Sequence, residues 1–189
     1  MIRYIIASFF ISFVINTSIG QEKNEVDQFW SSLQSLCNTS YKGTLVLPEN
    51  DPQFAGKELL MHVRSCNDTE IKIPFFVGED RSRTWVLTKS NDRILLKHDH
   101  RHEDGSEDKI TMYGGMTTNV GQAGIQVFPA DAETQVMIPA ASGNVWWITI
   151  DKTTFTYNLR RLGTERIFTI SFDLSTPVEN PAAPWGWKE

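Results

Sequence analysis

The chain is short of the residues that make chemistry easy to read. Cysteine occurs twice and histidine four times in 189 residues. Two cysteines, Cys37 and Cys66, allow one disulfide at most, and neither carries the surroundings of a nucleophile. Positive charge is also scarce: 18 Lys and Arg stand against 23 Asp and Glu, for a net charge of −5. That balance speaks against bulk nucleic-acid binding, which needs a clustered basic footprint. Past the first twenty residues no apolar run is long enough to span a membrane. There are no internal repeats and no low-complexity linker. No GxSxG elbow accompanies the serines and histidines. The glycines at Gly114-Gly115 and at Gly121 and Gly124 lack the lysine-threonine and helix of a phosphate loop.

What is present starts with Arg3 and the apolar run YIIASFFISFVI, followed by small residues at Ser18 and Gly20. A basic start, an apolar core and small residues predict a secretory signal over 1–20, cut after Gly20, and therefore an exported protein; an uncleaved N-terminal anchor is the alternative. Losing Arg3 leaves the chain one charge more acidic. Residues 21–189 suit a single domain with a substantial core. In an exported protein the Cys37–Cys66 pair is expected to form a disulfide, stabilising by roughly 3 kcal/mol; two buried thiols are the alternative. Asn38 and Asn67 head glycosylation sequons that matter only in a eukaryotic secretory pathway.

Residues 22–36 place Val26, Phe29, Trp30, Leu33 and Leu36 at helical spacing, predicting one amphipathic helix. From Tyr41 the pattern changes to short β-rich runs separated by turn residues. Eleven candidate strands follow, at 41–47, 58–65, 70–77, 83–89, 93–100, 108–114, 124–130, 134–138, 144–150, 154–161 and 166–174. Their short links favour an antiparallel meander, which must close or stack to hide its edges. The predicted fold is mainly β: an up-and-down, calycin-like barrel or curled sandwich of about 8–11 strands, with the helix over one end or face. Pro129 marks an edge strand or a bulge. The tail 175–189 is proline-rich, but Trp185 and Trp187 are expected to dock it on the barrel.

One segment concentrates the polar chemistry. HDHRHEDG, residues 98–105, carries His98, His100 and His102 at alternate positions. In a straight strand these share a face, and the outer two lie roughly 13 Å apart. Two neighbours could converge on an ion at bonds of about 2.1 Å, but not all three. A metal would need a third ligand, with His62, Glu103, Asp131 or Glu133 as candidates. A plain hairpin reading is equally concrete: a turn at Asp104-Gly105 sets His102 opposite Glu107, Arg101 opposite Asp108 and His100 opposite Lys109. A third reading makes the segment a polar binding or catalytic site without metal. Arg81 and Arg83, beside Trp85, could hold an anion, since guanidinium forks suit carboxylate and phosphate; a solvated charged loop is the plainer account.

The blocks RSRTW (81–85), LKHDHRHEDGS (96–106), YGG (113–115), FPAD (128–131) and APWGW (183–187) resemble a family of exported bacterial proteins with no assigned function. The meander also resembles calycins, the barrel class of lipocalins and fatty-acid-binding proteins, although Tyr41-Lys42-Gly43 stands where lipocalins have Gly-x-Trp. The resemblance implies a periplasmic or secreted location, argues against use of the sequons and, by analogy of fold, implies small-molecule binding only weakly. The leading expectation is a binding module for a small polar or anionic ligand, in the barrel or at its mouth, near Arg81, Arg83, His98, His100 and Tyr113. The alternatives are a hydrolase or lyase with His98 or His100 as base, oriented by Asp99 or Glu103, and an interaction protein with no such site. Neither a cofactor nor an oligomeric state is legible.

Overall fold

The structure is a computed structural model that describes residues 24–188; the signal expected over 1–20 and the first residues of the predicted helix lie outside these. Helix α1 (Glu25–Ser35) begins at Asn24, whose side chain accepts the Asp27 N–H at 2.8 Å. Its apolar stripe of Val26, Phe29, Trp30 and Leu33 is buried. The Cys37–Cys66 disulfide then ties the end of this helix to the short strand β3.

The strands are β1 (Thr39–Leu47), β2 (Leu59–Val63), β3 (Ser65–Cys66), β4 (Glu70–Val77), β5 (Asp80–Ser90), β6 (Arg93–His100), β7 (Tyr113–Met116), β8 (Ile125–Pro129), β9 (Asn144–Ile150), β10 (Thr154–Arg161) and β11 (Ile167–Val178). Helix α2 (Ala132–Met137) separates β8 from β9. The antiparallel sheet runs β7-β6-β5-β4-β2-β1-β11-β10-β9-β8, with β3 beside β4. The sheet curls into a nearly closed barrel, and β1 pairs with β11 to join its first and last strands. Alternate residues face inward, so Ile73, Leu87, Ile148, Phe155, Ile170 and Phe172 fill the core.

Closure between β7 and β8 uses a clasp in place of a ladder. The Asp131 N–H donates to the Gly114 carbonyl, and the Thr134 hydroxyl both accepts from Gly114 N–H (2.7 Å) and donates to its carbonyl (2.9 Å). Lys97, on β6, reaches over to Asp131 at 2.7 Å and Glu133 at 3.0 Å. Burial alone would push the Lys97 ammonium down and the Asp131 carboxyl up; their mutual hydrogen bond, with Glu133 adding to it on Lys97, reverses both. A β-carbon on Gly115 would sit 1.7 Å from the Pro129 carbonyl oxygen, so only glycine lets the seam close.

Two expected strands are corrected. Residues 134–138 do not form a strand; α2 occupies 132–137, because Asp131 caps it by accepting the Thr134 N–H at 2.8 Å. The strand expected over 108–114 starts only at Tyr113. Before it the Asp108 side chain accepts Ile110 N–H, and Met112 takes a positive φ of 55°. The hairpin register is corrected as well. Gly105, at φ 85°, ends a three-residue loop in which His102 N–H donates to the Ser106 carbonyl. Arg101 therefore pairs with Glu107 (3.1 Å) and Asp99 (2.9 Å), not with Asp108. His100 does not meet Lys109, which is exposed, and His102 is exposed at the loop.

After β11 the tail runs as a strap along the outside of the barrel. The Ser40 hydroxyl donates to Asn180, the Arg64 guanidinium lies 5.1 Å from the Trp187 ring, and Trp185 N–H donates to the Arg81 carbonyl. Gly186 packs on Gly105 at the hairpin tip.

Candidate functional site

The two ends of the barrel differ. Helix α1 plugs one: Lys89, late in β5, bonds Asp27, and Gln34 reaches Asn67. The other end holds a cavity of about 370 Å³. Its floor is an aromatic layer that crosses the barrel. Trp85 of β5 stacks on Tyr157 of β10 at 4.3 Å between ring centroids, and Tyr157 bonds His98 of β6 at 2.6 Å. Below this layer lies the packed core.

Register assembles the cavity wall. Trp85 pairs with His98, Arg83 with His100, and His98 with Tyr113. The His98 ring stacks on the Tyr113 ring at 4.6 Å, and His98 Nδ1 lies 2.9 Å from the Tyr113 carbonyl. A carbonyl only accepts, so Nδ1 carries the proton and Nε2 accepts from the Tyr157 hydroxyl. Burial pushes His98 down to about 3, so it is neutral at pH 7. Burial likewise pushes Tyr113 up to about 12 and Tyr157 well above its ordinary value. The Tyr113 hydroxyl lies 3.1 Å from His100 Nε2. Burial, followed by the charge of Arg83, lowers His100 too.

Nearer the mouth the lining turns cationic. Arg83, Arg161 and Arg166 all border the cavity. Arg83 is paired to Asp80, and Arg161 Nε donates to Asn144 Oδ1 at 2.8 Å. Arg161 and Arg166 have no carboxylate partner among the described residues. The one carboxylate in the lining is Asp108, whose Oδ1 accepts the Ile110 N–H. Phe54, from the β1–β2 loop, is buried and also lines the cavity, 4.6 Å from Phe168 and 5.9 Å from the Arg83 guanidinium.

Of the residues singled out from sequence, Arg83, His98, His100 and Tyr113 come together in this wall. Arg81 does not. A bulge, where Val77 pairs with Asp80 but Phe75 with Arg83, shifts the strand's facing between the two arginines. Arg81 borders a shallow outer groove with Glu103 and Trp185. Among the described residues no three of His, Cys, Asp and Glu converge as metal ligands. The four candidate third ligands are dispersed. His62 is buried on β2 across from Ser40, Asp131 and Glu133 hold Lys97, and Glu103 lies in the outer groove. Asp99 faces Arg101 and Thr111, away from the histidines' inward face.

Sequence reasoning missed Arg161, Arg166, Tyr157 and Asn144. A usable signal was there for two of them. Phe155, Tyr157, Leu159 and Arg161 alternate along one strand, so Arg161 shares the inward face of an apolar series. Fold and site together define an antiparallel barrel plugged at one end and open at the other into an arginine-rimmed aromatic cavity. Comparison of the chain with protein-family models, curated proteins and solved structures finds no match.

Proposed function

We propose that this protein binds a small polar or anionic ligand in the mouth of the barrel, and that anionic ligands are preferred. The observation that carries the reading is the excess of guanidinium at the cavity: Arg83 is balanced by Asp80, but Arg161 and Arg166 line the mouth with no carboxylate partner among the described residues, against the single lining carboxylate Asp108. A pocket of this size, apolar below and with few convergent polar groups, has the build of a small-molecule site. His98 itself is held as part of the wall and not as a base. Both of its ring nitrogens are engaged by the wall and its basicity is low, which leaves no free lone pair for a substrate proton. The protein is further proposed to act outside the cytoplasm, as a periplasmic or secreted binding module. The Cys37–Cys66 bridge and the signal-like first twenty residues support that location.

Calorimetric titration with benzoate and with phenyl phosphate tests the reading. Binding should weaken as salt rises and fall at least about tenfold in Arg161→Gln/Arg166→Gln, each charged hydrogen bond contributing about 1.5 kcal/mol or more. Undiminished binding by that variant, or no binding of either anion by the parent protein, rejects it.

A further inference from the structure

The layering of the cavity says more about its occupant, provided the anion-binding reading above holds. Arg161 ends β10 and Tyr157 lies four residues deeper, about 13 Å along the strand. Arg83 and Trp85 repeat the order on β5, and Arg166 and Phe168 repeat it at the start of β11. In all three places the cation is at the rim and the ring is inside. The floor is closed, because Trp85 and Tyr157 stack across the barrel and His98 is bonded to Tyr157. A flexible chain entering the mouth has no deeper channel to follow. The volume, about 370 Å³, is at the low end of the roughly 300–1,000 Å³ usual for ligand pockets.

We infer that the ligand is a compact aromatic anion, one or two fused rings bearing a carboxylate or similar group, held ring-inward with its charge at the arginine rim. The inner walls offer ring faces and edges, against which a planar π-system gains more than a saturated skeleton of equal size. Phe54, carried on the β1–β2 loop, adds a further ring to the lining and packs on Phe75 and Phe168, and leucine there keeps an apolar side chain in its place.

The test compares a naphthoate with the decalin carboxylate of the same skeleton, and both with dodecanoate and inorganic sulfate, by calorimetry on the intact protein. The naphthoate should bind about three- to tenfold tighter than its saturated counterpart, the range expected of an aromatic pair. It should also bind more tightly than dodecanoate or sulfate. Phe54→Leu should narrow the naphthoate–decalin ratio while leaving the salt dependence in place. Equal or tighter binding of the decalin acid, dodecanoate or sulfate overturns the aromatic assignment and leaves anion binding standing. If none of the four binds, both readings fall.

Discussion

Acid should weaken this barrel well above the pH at which carboxylates titrate. Two fully buried histidines are responsible. Burial drives His98 down to about 3, and burial followed by the charge of Arg64 drives His62 down to about 4. His62 makes no hydrogen bond through either ring nitrogen among the described residues. Unfolding returns both to an ordinary value near 6.5, so the unfolded chain takes up protons that the folded one refuses. Stability is therefore complete above about pH 7 and drains away as pH falls through 6.5, continuing until each folded-state value is reached. Between pH 7.5 and 5 each site removes about 2 kcal/mol, about 4 together. His100, lowered in the same direction, adds to the trend. Asp80 and Asp131 are lowered from 3.8 and give up their contributions only below that window. Urea unfolding with the disulfide intact, followed by tryptophan fluorescence across this range, measures the slope. His62→Leu should remove about half of it and raise stability at pH 5. A free energy of unfolding that stays level from pH 7.5 to 5 would refute the argument, as would an unchanged slope in His62→Leu combined with His98→Gln.

Other expectations concern the seam and the crosslink. Gly115→Ala drives a β-carbon into the Pro129 carbonyl; it should cost at least about 3 kcal/mol and speed amide exchange along β7 and β8. Asp131→Ala removes the cap of α2 and one partner of the buried Lys97, with an expected loss of about 2–4 kcal/mol in urea melts. Reducing Cys37–Cys66 should lower the unfolding free energy by about 3 kcal/mol, read against a Cys37→Ala/Cys66→Ala variant.

Much of the barrel can be read from two-residue alternation, since an inward face shows as an apolar series whatever the strand's partner. The inward rows of β9, β10 and β11 are visible in that way. Alternation fails where a side chain redirects the backbone. Thr134, Val136 and Ile138 look like a strand until Asp131 is seen capping the turn before them. Arg81 and Arg83 look equivalent until the bulge of β5 at Arg81-Ser82, opposite Phe76, separates them. The HDHRHEDG segment shows both outcomes. Its parity correctly puts His98 and His100 on one face, but its register depended on a loop conformation that Asp-Gly alone does not specify. Nothing local announces that Tyr157, fifty-nine residues after His98, will cross the barrel to meet it.

The pairing order has a consequence for how the chain finds its shape. Almost every ladder joins strands that are close in sequence, through links that form by local search. The exception is β1 with β11, which brings Leu45 beside Ile170 and closes a loop of more than a hundred residues. Its entropy must be met before the enclosing walls can press on the floor. Hairpins should therefore assemble first, and the joining of the two chain ends should set the pace. Weakening that ladder, as in Leu45→Ala, should slow refolding, whereas loosening the β7–β8 clasp should mainly hasten unfolding; stopped-flow chevrons of Leu45→Ala and Asp131→Ala that show the reverse pattern would overturn this order. The molecule would thus close at one meridian and first open at another.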